Sequence, residues 1–310
     1  MEKPWQGLFL MQGNDRDTTH STNSTDSTKL STKTTYLIFF LLATILLIFS
    51  SCSIERKMAK EYIANDSTRS VLVIPPGYIF KKSLKEWEVE SADKLDTGTL
   101  DSILLEKSLF LKYVDDSVFM DYYMSNYLAE IEALGFHVYR EDSLIPFLSG
   151  NPESYIVNIA QLELEEYVMP IKEEEQFGEY IYTEVIDLNA INLNSWFEIS
   201  RVNADEDKTL FFASHYLTDE LEGFFKHYYF TGEVQFSYDV DTLLVDQIYK
   251  LAALAGHLYA GYTFDYLMNK YIDKQTREND LGRSDIFYHY NRQNRYLGTV
   301  SEQDRFIPME

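Results

Sequence analysis

Cysteine is nearly absent from this chain, since Cys52 is the only one in 310 residues. No disulfide can form within the chain, although such bonds persist in exported proteins. The lone thiol follows an apolar stretch directly. Its position therefore points to a use tied to that stretch.

That stretch is too short to cross a bilayer. Residues Tyr36 to Phe49 read YLIFFLLATILLIF, fourteen residues without a charge, whereas a membrane span needs about twenty. The length is typical of the apolar core of a signal peptide, with Lys29 and Lys33 as its basic flank. We therefore predict that residues 1–51 are a leader and signal peptide.

The end of the leader resembles the lipobox of bacterial lipoproteins, in the order Phe49-Ser50-Ser51-Cys52. The resemblance implies cleavage before Cys52 and acyl chains on that residue. Burial of each acyl CH₂ contributes about 0.8 kcal/mol, and two or more chains anchor a protein stably. The alternative is a signal anchor, or ordinary cleavage beside an incidental thiol.

The residues after Cys52 bear on localisation. Ser53 is not the aspartate that retains enterobacterial lipoproteins at the inner membrane, and residues 54–57 are not an acidic run of the Bacteroidetes surface-export kind. We predict a lipid-anchored outer-membrane protein, with its periplasmic face favoured over the cell surface.

Basic residues are also scarce. The leader's charges cancel, so residues 52–310 hold 46 Asp and Glu against 23 Lys and Arg and carry the whole net charge of −23. Phosphate backbones and anionic head groups repel such a surface. We expect no nucleic acid, membrane contact through the lipid alone, and an envelope protein as partner. The 24 Tyr and 20 Phe favour ring-filled core volume over a recognition surface.

Familiar catalytic motifs are missing: there is no HExxH, GxSxG, P-loop or dinucleotide fingerprint. We predict no cofactor and no metal, and assign no catalytic residue. The alternative is an envelope hydrolase or metal enzyme using His215 and His227 with Glu220 and Glu222, since imidazoles and carboxylates ligate zinc. A structural histidine among rings is favoured.

Three further features have both a functional and a structural interpretation. Glu165-Glu166 and the run 173–175 favour solvated charge over paired acids or a calcium site. His257 lies on an apolar helix face, where a core position is expected. Aromatic residues near Phe287 to Tyr290 are the one hint of a small-ligand or glycan receptor.

The patterning predicts an α/β fold over residues 70–273, with α+β as the alternative. A buried strand at Val71 to Ile74, helices over 100–114 and 118–134, a strand at 136–139 and a helix at 142–148 follow in β-α-β-α order. The run Asp115-Asp116-Ser117 offers a cap at the start of the second helix, and Gly135 is placed to end it.

The second half predicts an antiparallel meander and one long helix. Strands are expected over 154–168, 180–202 and 208–217, with Pro170 ending the first and a bend near 192–194 in the second. Asp241 would cap a helix over 242–273 whose alanines and glycines pack on the sheet. Residues 52–69 read as a polar tether. The tail, 274–310, would wrap the domain or bind a partner.

Three segments carry a wider resemblance: SVLVIPPGYIF, the stretch from Asp101 to Tyr139, and SYIVNIAQLELEEYVMPI. They resemble Bacteroidetes-type lipoproteins over most of Val71 to Asp273. That family has no established activity, so it assigns no functional residue. The lipidated cysteine and VLVIPP strand are also similar to the TolB amino-terminal domain and to curli-secretion lipoproteins, a fold analogy that would lack the latter's pore-forming hairpins.

Overall fold

The computed structural model describes residues 54–65, 69–149, 154–202, 208–282 and 286–309. The leader, the predicted cleavage site and Cys52 lie outside the described residues. Residues 52–310 form one compact unit. No helix among the described residues has the length and apolar character needed to cross a membrane.

The domain is built on a seven-stranded mixed sheet, which confirms the predicted α/β fold class. Its main path runs β11-β6-β5-β4-β1-β3, and β2 also pairs with β4. The strands are β1 (Ser70–Ile74), β2 (Ile79–Ser83), β3 (His137–Tyr139), β4 (Tyr155–Phe177), β5 (Tyr180–Arg201), β6 (Lys208–Thr218) and β11 (Ile307–Met309).

The parallel part of the sheet matches its sequence. β1 pairs in parallel with both β3 and β4, so its Val71, Leu72 and Val73 are all buried. β2 lies further along the same edge of β4, also in parallel. The β4–β5–β6 meander is antiparallel, as predicted.

Helices cover the sheet. They are α1 (residues 54–64), α2 (Thr97–Lys107), α3 (Asp116–Ala133), α4 (Leu144–Leu148) and α5 (Val245–Glu278). One large core joins α3 and α5 to one sheet face, while Phe147 of α4 packs with Leu72 and Val202 in a smaller cluster. The predicted ends of α3 are confirmed: the Asp115 side chain accepts from Val118 N, and Gly135 has a φ of 89°.

The predicted polar tether is wrong for residues 54–64. They form α1, whose Ala59 is fully buried and whose Met58, Tyr62 and Ile63 pack against the main core. Apolar residues on one side of an otherwise charged segment suffice for this packing. The domain therefore begins within two residues of Cys52.

Several predicted boundaries also move. β4 continues through Pro170 to Phe177, because beyond Glu166 only β5 pairs with it and an edge tolerates proline. The irregularity lies on β4 between Ile159 and Gln161, not at 192–194 of β5. Asp241 belongs to a strand, and α5 starts at Val245, where the Gln247 side chain accepts from Leu244 N.

One small residue of α5, Gly256, serves a different contact from the one predicted. A Cβ built on Gly256 would lie 2.2 Å from the backbone carbonyl oxygen of Tyr123 in α3. This glycine therefore permits close approach of two helices, not of a helix and the sheet.

The tail wraps the domain, the first of the two predicted roles. A hairpin of β9 (Tyr288–Asn291) and β10 (Tyr296–Thr299) follows α5, and β11 then joins the edge of β6. Phe306 packs in the core against Phe197 and Phe211. A second separate hairpin, β7 (Glu220–His227) and β8 (Val234–Asp241), precedes α5.

Candidate functional site: two acidic and aromatic hairpins

Two two-stranded hairpins extend from the sheet. In the first, β4 and β5 pair only with each other beyond the points where β2 and β6 stop; we call residues 168–189 the long ribbon. The second is β7 with β8, residues 220–241, called the short hairpin. The stacked rings of Phe177 and His227, with centroids 5.3 Å apart, bring the end of the long ribbon to the short hairpin.

The short hairpin has one apolar and one polar face. Because side chains alternate along strands and the register pairs Leu221 with Val240 and Phe225 with Phe236, these four share a face. The opposite face is mostly polar but also carries an exposed ring; its residues are Glu220, Glu222, Phe224, Lys226, Gln235, Ser237, Asp239 and Asp241. Sequence analysis missed these strands because Gly223 and the ring-rich turn weaken the alternation.

Large rings are exposed at the far end of this hairpin. Phe230 is 100% exposed and Tyr229 86%, and both lie in the connection between β7 and β8. Tyr180 and Ile181, at the end of the long ribbon, are 71% and 67% exposed. Aromatic residues exposed together are enriched where proteins bind partners.

The hairpins also concentrate negative charge. The long ribbon has six acidic residues and one lysine, and the short hairpin has five and one. Their combined net charge is therefore −9, out of −23 for the chain, in 44 of 310 residues. The acidic residues are Glu173, Glu174, Glu175, Glu179, Glu184, Asp187, Glu220, Glu222, Glu233, Asp239 and Asp241.

A buried polar network fixes the roots of both hairpins. Lys85 Nζ lies 3.0 Å from a carboxylate oxygen of Glu166 on β4 and donates to Asn189 Oδ1 on β5 at 3.0 Å. Asn189 in turn donates through N and Nδ2 to Asp219, which precedes β7. Asp219 also accepts from Leu243 N, after β8.

This network orients the hairpins on the domain. The Lys85 and Glu166 side chains are 2% and 0% exposed, and Glu166 also accepts from the backbone N–H groups of Leu109 and Phe110. Buried charges with such complete partners hold one geometry. No sequence signal pointed to it, since Lys85 and Asn189 are 104 residues apart.

The histidine cluster of the alternative interpretation does not assemble. His215 on β6 pairs with Leu193 of β5. His227 stacks on Phe177 of β4, whose partner on β5 is Tyr180. Leu193 and Tyr180 are thirteen residues apart, about 40 Å along an extended strand. Glu220 and Glu222 are exposed on β7.

Each histidine instead has a structural environment. His215 Nδ1 lies 3.1 Å from the Tyr259 hydroxyl, and burial lowers the pKa of His215. In the part of the chain that the structure describes, no group of three or more His, Cys, Asp or Glu side chains could hold a metal.

The expectation of solvated charge is wrong for Glu166, which is buried, and confirmed for the run 173–175. Glu165 accepts hydrogen bonds from Asn192 and Asn194, whereas its neighbour Glu166 joins the buried network. Successive strand residues point to opposite faces, so the two carboxylates cannot act together. Glu174 pairs with Lys172 and accepts from Thr183, and the run 173–175 is exposed, as expected for solvated charge.

A polar cleft of about 400 Å³ lies between α3, α5 and the β9–β10 hairpin. Glu130 forms a bidentate pair with Arg292 and lies 3.2 Å from His257. The expected core position of His257 is wrong, because its side chain is partly exposed. Asp265 lies 3.4 Å from Arg305 and 3.8 Å from His289. Burial raises the pKa of Asp265 to about 7.

Phe287 of the candidate receptor segment lines a separate pocket beside α5, whereas other residues of the segment contact this cleft. Tyr290 lines it, and its backbone N–H donates to Asp265, while Tyr288 is buried. In this cleft Glu130 is paired with Arg292 and Asp265 with Arg305. His257 lies beside Glu130 and His289 beside Asp265, so the two histidines belong to different pairs. We therefore assign the cleft no reaction.

Comparison with known proteins adds little. No family model and no curated protein sequence matches the chain. A solved structure of a neuraminyllactose-binding hemagglutinin homolog from Helicobacter pylori aligns with 68% of this chain and 91% of its own, at 13% identity and a TM-score of 0.26. Similarity at that level establishes neither a shared fold nor a shared function.

Proposed function

We propose that this chain is a lipid-anchored scaffolding module of the bacterial envelope whose two hairpins bind a basic partner protein. The observation that carries the proposal is the combination, on one pair of hairpins, of a net charge of −9 and exposed rings at the ends. Neither feature serves the buried core of the described domain, which draws no residue from the short hairpin.

The chemistry favours a protein with a positively charged binding surface. Acidic residues accelerate encounter with such a surface and reject acidic ones. Tyr229 and Phe230 would supply the buried anchors that dominate binding energy once desolvated. An anionic bilayer or a nucleic acid would meet the same eleven carboxylates and be repelled.

The anchor belongs to the same proposal. An apolar run, two serines and the only cysteine support lipidation at Cys52, on the periplasmic face of the outer membrane. Because α1 starts at residue 54 and packs on the domain, little chain would separate the bilayer from the folded unit. The module would then hold its partner close to the membrane.

Site-specific photo-crosslinking in living cells tests the hairpins. A benzoylphenylalanine at Phe230 should crosslink to one basic protein, whereas the same group at Trp87, also well exposed at 67%, should not. Reversing three charges with Glu173→Lys, Glu174→Lys and Glu175→Lys should reduce the crosslink about tenfold or more, the effect of losing several long-range attractions.

Other outcomes would overturn the partner. Adducts with lipid, with a second copy of this chain or with an acidic protein would each reject a basic partner. A crosslink that forms equally from Trp87 would reject the hairpins as the binding surface.

Fatty-acid labelling tests the anchor separately. Labelled palmitate should enter the wild-type chain and not Cys52→Ala, which should be released or remain as precursor. A wild-type chain that takes up no label would reject the anchor, and removal of the domain by protease on intact cells would reject the periplasmic face.

A further inference from the structure

The exposed side of α1 is positively charged, unlike the chain as a whole. Arg56, Lys57 and Lys60 are all exposed, whereas the acidic residues of this helix are Glu55, which is half-buried, and Glu61, which is exposed. The helix therefore holds three cations against two acids in a chain whose net charge is −23. A local excess of the minority charge at one surface calls for a partner of opposite charge.

The domain itself does not neutralise these cations. In the described part of the chain, no ion pair includes any of the three. Arg56 Nη2 donates to the backbone oxygen of Leu297, at 3.4 Å, a long distance for such a bond. Their charge is therefore available to an anion outside the domain.

The cations also lie next to the predicted anchor. Ile54 follows Cys52 by two residues, at most about 7 Å of extended chain. Lys60 follows Ile54 by six helical residues, about 9 Å. The Debye length at physiological ionic strength is about 8 Å. All three cations would therefore lie within about two Debye lengths of a bilayer that holds lipid on Cys52.

The acidic hairpins, by contrast, are attached at the other end of α5. The Tyr62 ring of α1 lies 5.6 Å from the ring of Phe264 and 5.3 Å from that of Tyr271, both in the second half of α5. The root of the short hairpin lies at the start of α5, where Leu243 N donates to Asp219. The start of α5 and Tyr271 are twenty-six helical residues apart, about 39 Å. Over several Debye lengths, salt screens most of the repulsion between the hairpins and a bilayer at α1.

We propose that the exposed side of α1 binds the anionic head groups of the bilayer that holds the protein, an inference that rests on the proposed lipid anchor at Cys52. Each lysine or arginine near an anionic surface adds to the attraction, and the anchor keeps α1 at a high effective concentration beside that surface. The average charge of the chain predicts contact through the lipid alone, whereas the charge next to the anchor predicts a second contact. This contact would orient the domain with its hairpins away from the bilayer, accessible to a basic partner.

Energy transfer to labelled lipid tests the orientation. Lipidation blocks the only native thiol of the chain, so a cysteine introduced by Ala64→Cys, at an exposed position of α1, can carry the one donor dye. The purified lipidated chain would be reconstituted into phosphatidylcholine vesicles with an acceptor dye on the head groups, with or without phosphatidylglycerol, and its co-sedimentation with the vesicles measured.

Transfer from the dye at residue 64 should increase when phosphatidylglycerol is present, and added salt should remove the increase because it screens the attraction. With the dye moved to the tip of the short hairpin by Phe230→Cys, transfer should instead stay low or decrease.

Two variants with the same change in net charge locate the effect. Lys57→Gln with Lys60→Gln should lower the ratio of oriented to freely rotating molecules about tenfold or more, the effect of losing two cations near an anionic surface. Lys94→Gln with Lys250→Gln removes two exposed lysines outside α1 and should leave the transfer unchanged.

Each result decides the matter. A chain that sediments with neither kind of vesicle would reject the anchor, and this inference with it. A chain that sediments with both, but transfers equally in both or keeps its increase in the α1 variant, would overturn the contact and leave the anchor in place. The crosslink from Phe230 tests the hairpins independently of these outcomes.

Discussion

Buried charged side chains attach the two hairpins to the domain, and the clearest example is the ion pair of Lys85 and Glu166. Replacing Glu166 with Gln leaves the Lys85 ammonium buried without a counter-charge. Breaking a buried pair in this way costs about 3–5 kcal/mol. We expect Glu166→Gln to lower the free energy of unfolding by that amount, measured by guanidinium denaturation followed by circular dichroism.

A matched surface pair provides the control for this loss. Lys172 and Glu174 are 59% and 48% exposed, so Glu174→Gln should cost less than about 1 kcal/mol. Lys85→Met added to Glu166→Gln should recover part of the stability, since no buried charge then remains. Equal losses from Glu166→Gln and Glu174→Gln would contradict the role of burial.

Asp265 should make stability depend on pH in an unusual direction. Its pKa rises to about 7 on folding because of burial, opposed by the Tyr290 N–H and Arg305, whereas an unfolded aspartate titrates near 4. The folded state therefore binds more protons between these values. This contribution is complete below about pH 4 and declines as pH rises toward 7, by up to about 1.4 kcal/mol per unit.

The variant Asp265→Asn should remove that decline. Its free energy of unfolding should fall less between pH 5 and 7 than that of the wild type, in matched urea titrations. His289 and His215, whose pKa values burial lowers, contribute with the opposite sign. Because His289 lies 3.8 Å from Asp265, only the contribution of His215 is expected to be the same in both proteins. Parallel curves would contradict a raised pKa at this carboxyl.

At the scale of elements, the contact between α3 and α5 depends on one glycine. A methyl group at Gly256 would meet the Tyr123 carbonyl at 2.2 Å, and backbone cannot move aside as a side chain can. Overpacking typically costs 1–3 kcal/mol, so Gly256→Ala should destabilise the domain by about 2 kcal/mol or more. The measurement is the midpoint of chemical denaturation.

Gly261 on the same helix is the matched control. A Cβ there would meet no atom within 4 Å, and alanine favours a helix over glycine by about 1 kcal/mol. Gly261→Ala should therefore be neutral or stabilising. A destabilisation equal to that of Gly256→Ala would contradict close approach as the specific cause of the loss at Gly256.

Elements with a local cause were predictable from the sequence, and those with a distant cause were not. The Asp115 cap and Gly135 end of α3 rest on neighbours within a turn. The prediction that Pro170 ends a strand was wrong. β4 tolerates a proline there because no strand pairs with its other edge beyond Glu166. The packing of α1 depends on rings of α5 roughly two hundred residues later, such as Phe264 against Tyr62.

Only part of the candidate surface could be predicted from the sequence. The acidic run at 173–175 and the rings around His227 could be read directly. Their assembly could not, because Asn189 and Asp219 meet by continuing the β5–β6 register across thirty residues of sequence, which no local periodicity encodes. The alternative metal site therefore rested on two histidines that the fold separates by about 40 Å.

At the scale of the whole molecule, the short hairpin should be separable from the domain. It supplies no residue to either described core cluster, and its first and last residues, Glu220 and Asp241, are Cα partners. Replacing residues 221–240 with an Asn-Gly turn would close the gap with a common hairpin geometry. Asp219 and Leu243, which hold the root together, would remain.

We expect the shortened chain to unfold in one cooperative transition, with a free energy within about 2 kcal/mol of the wild type, because the loss is limited to partly buried rings. With benzoylphenylalanine moved to Tyr180, the crosslink to the basic partner should weaken strongly relative to the unshortened chain carrying the same substitution. A chain that loses cooperative unfolding would place the hairpin in the core, and a crosslink of unchanged strength would assign the partner to the long ribbon alone.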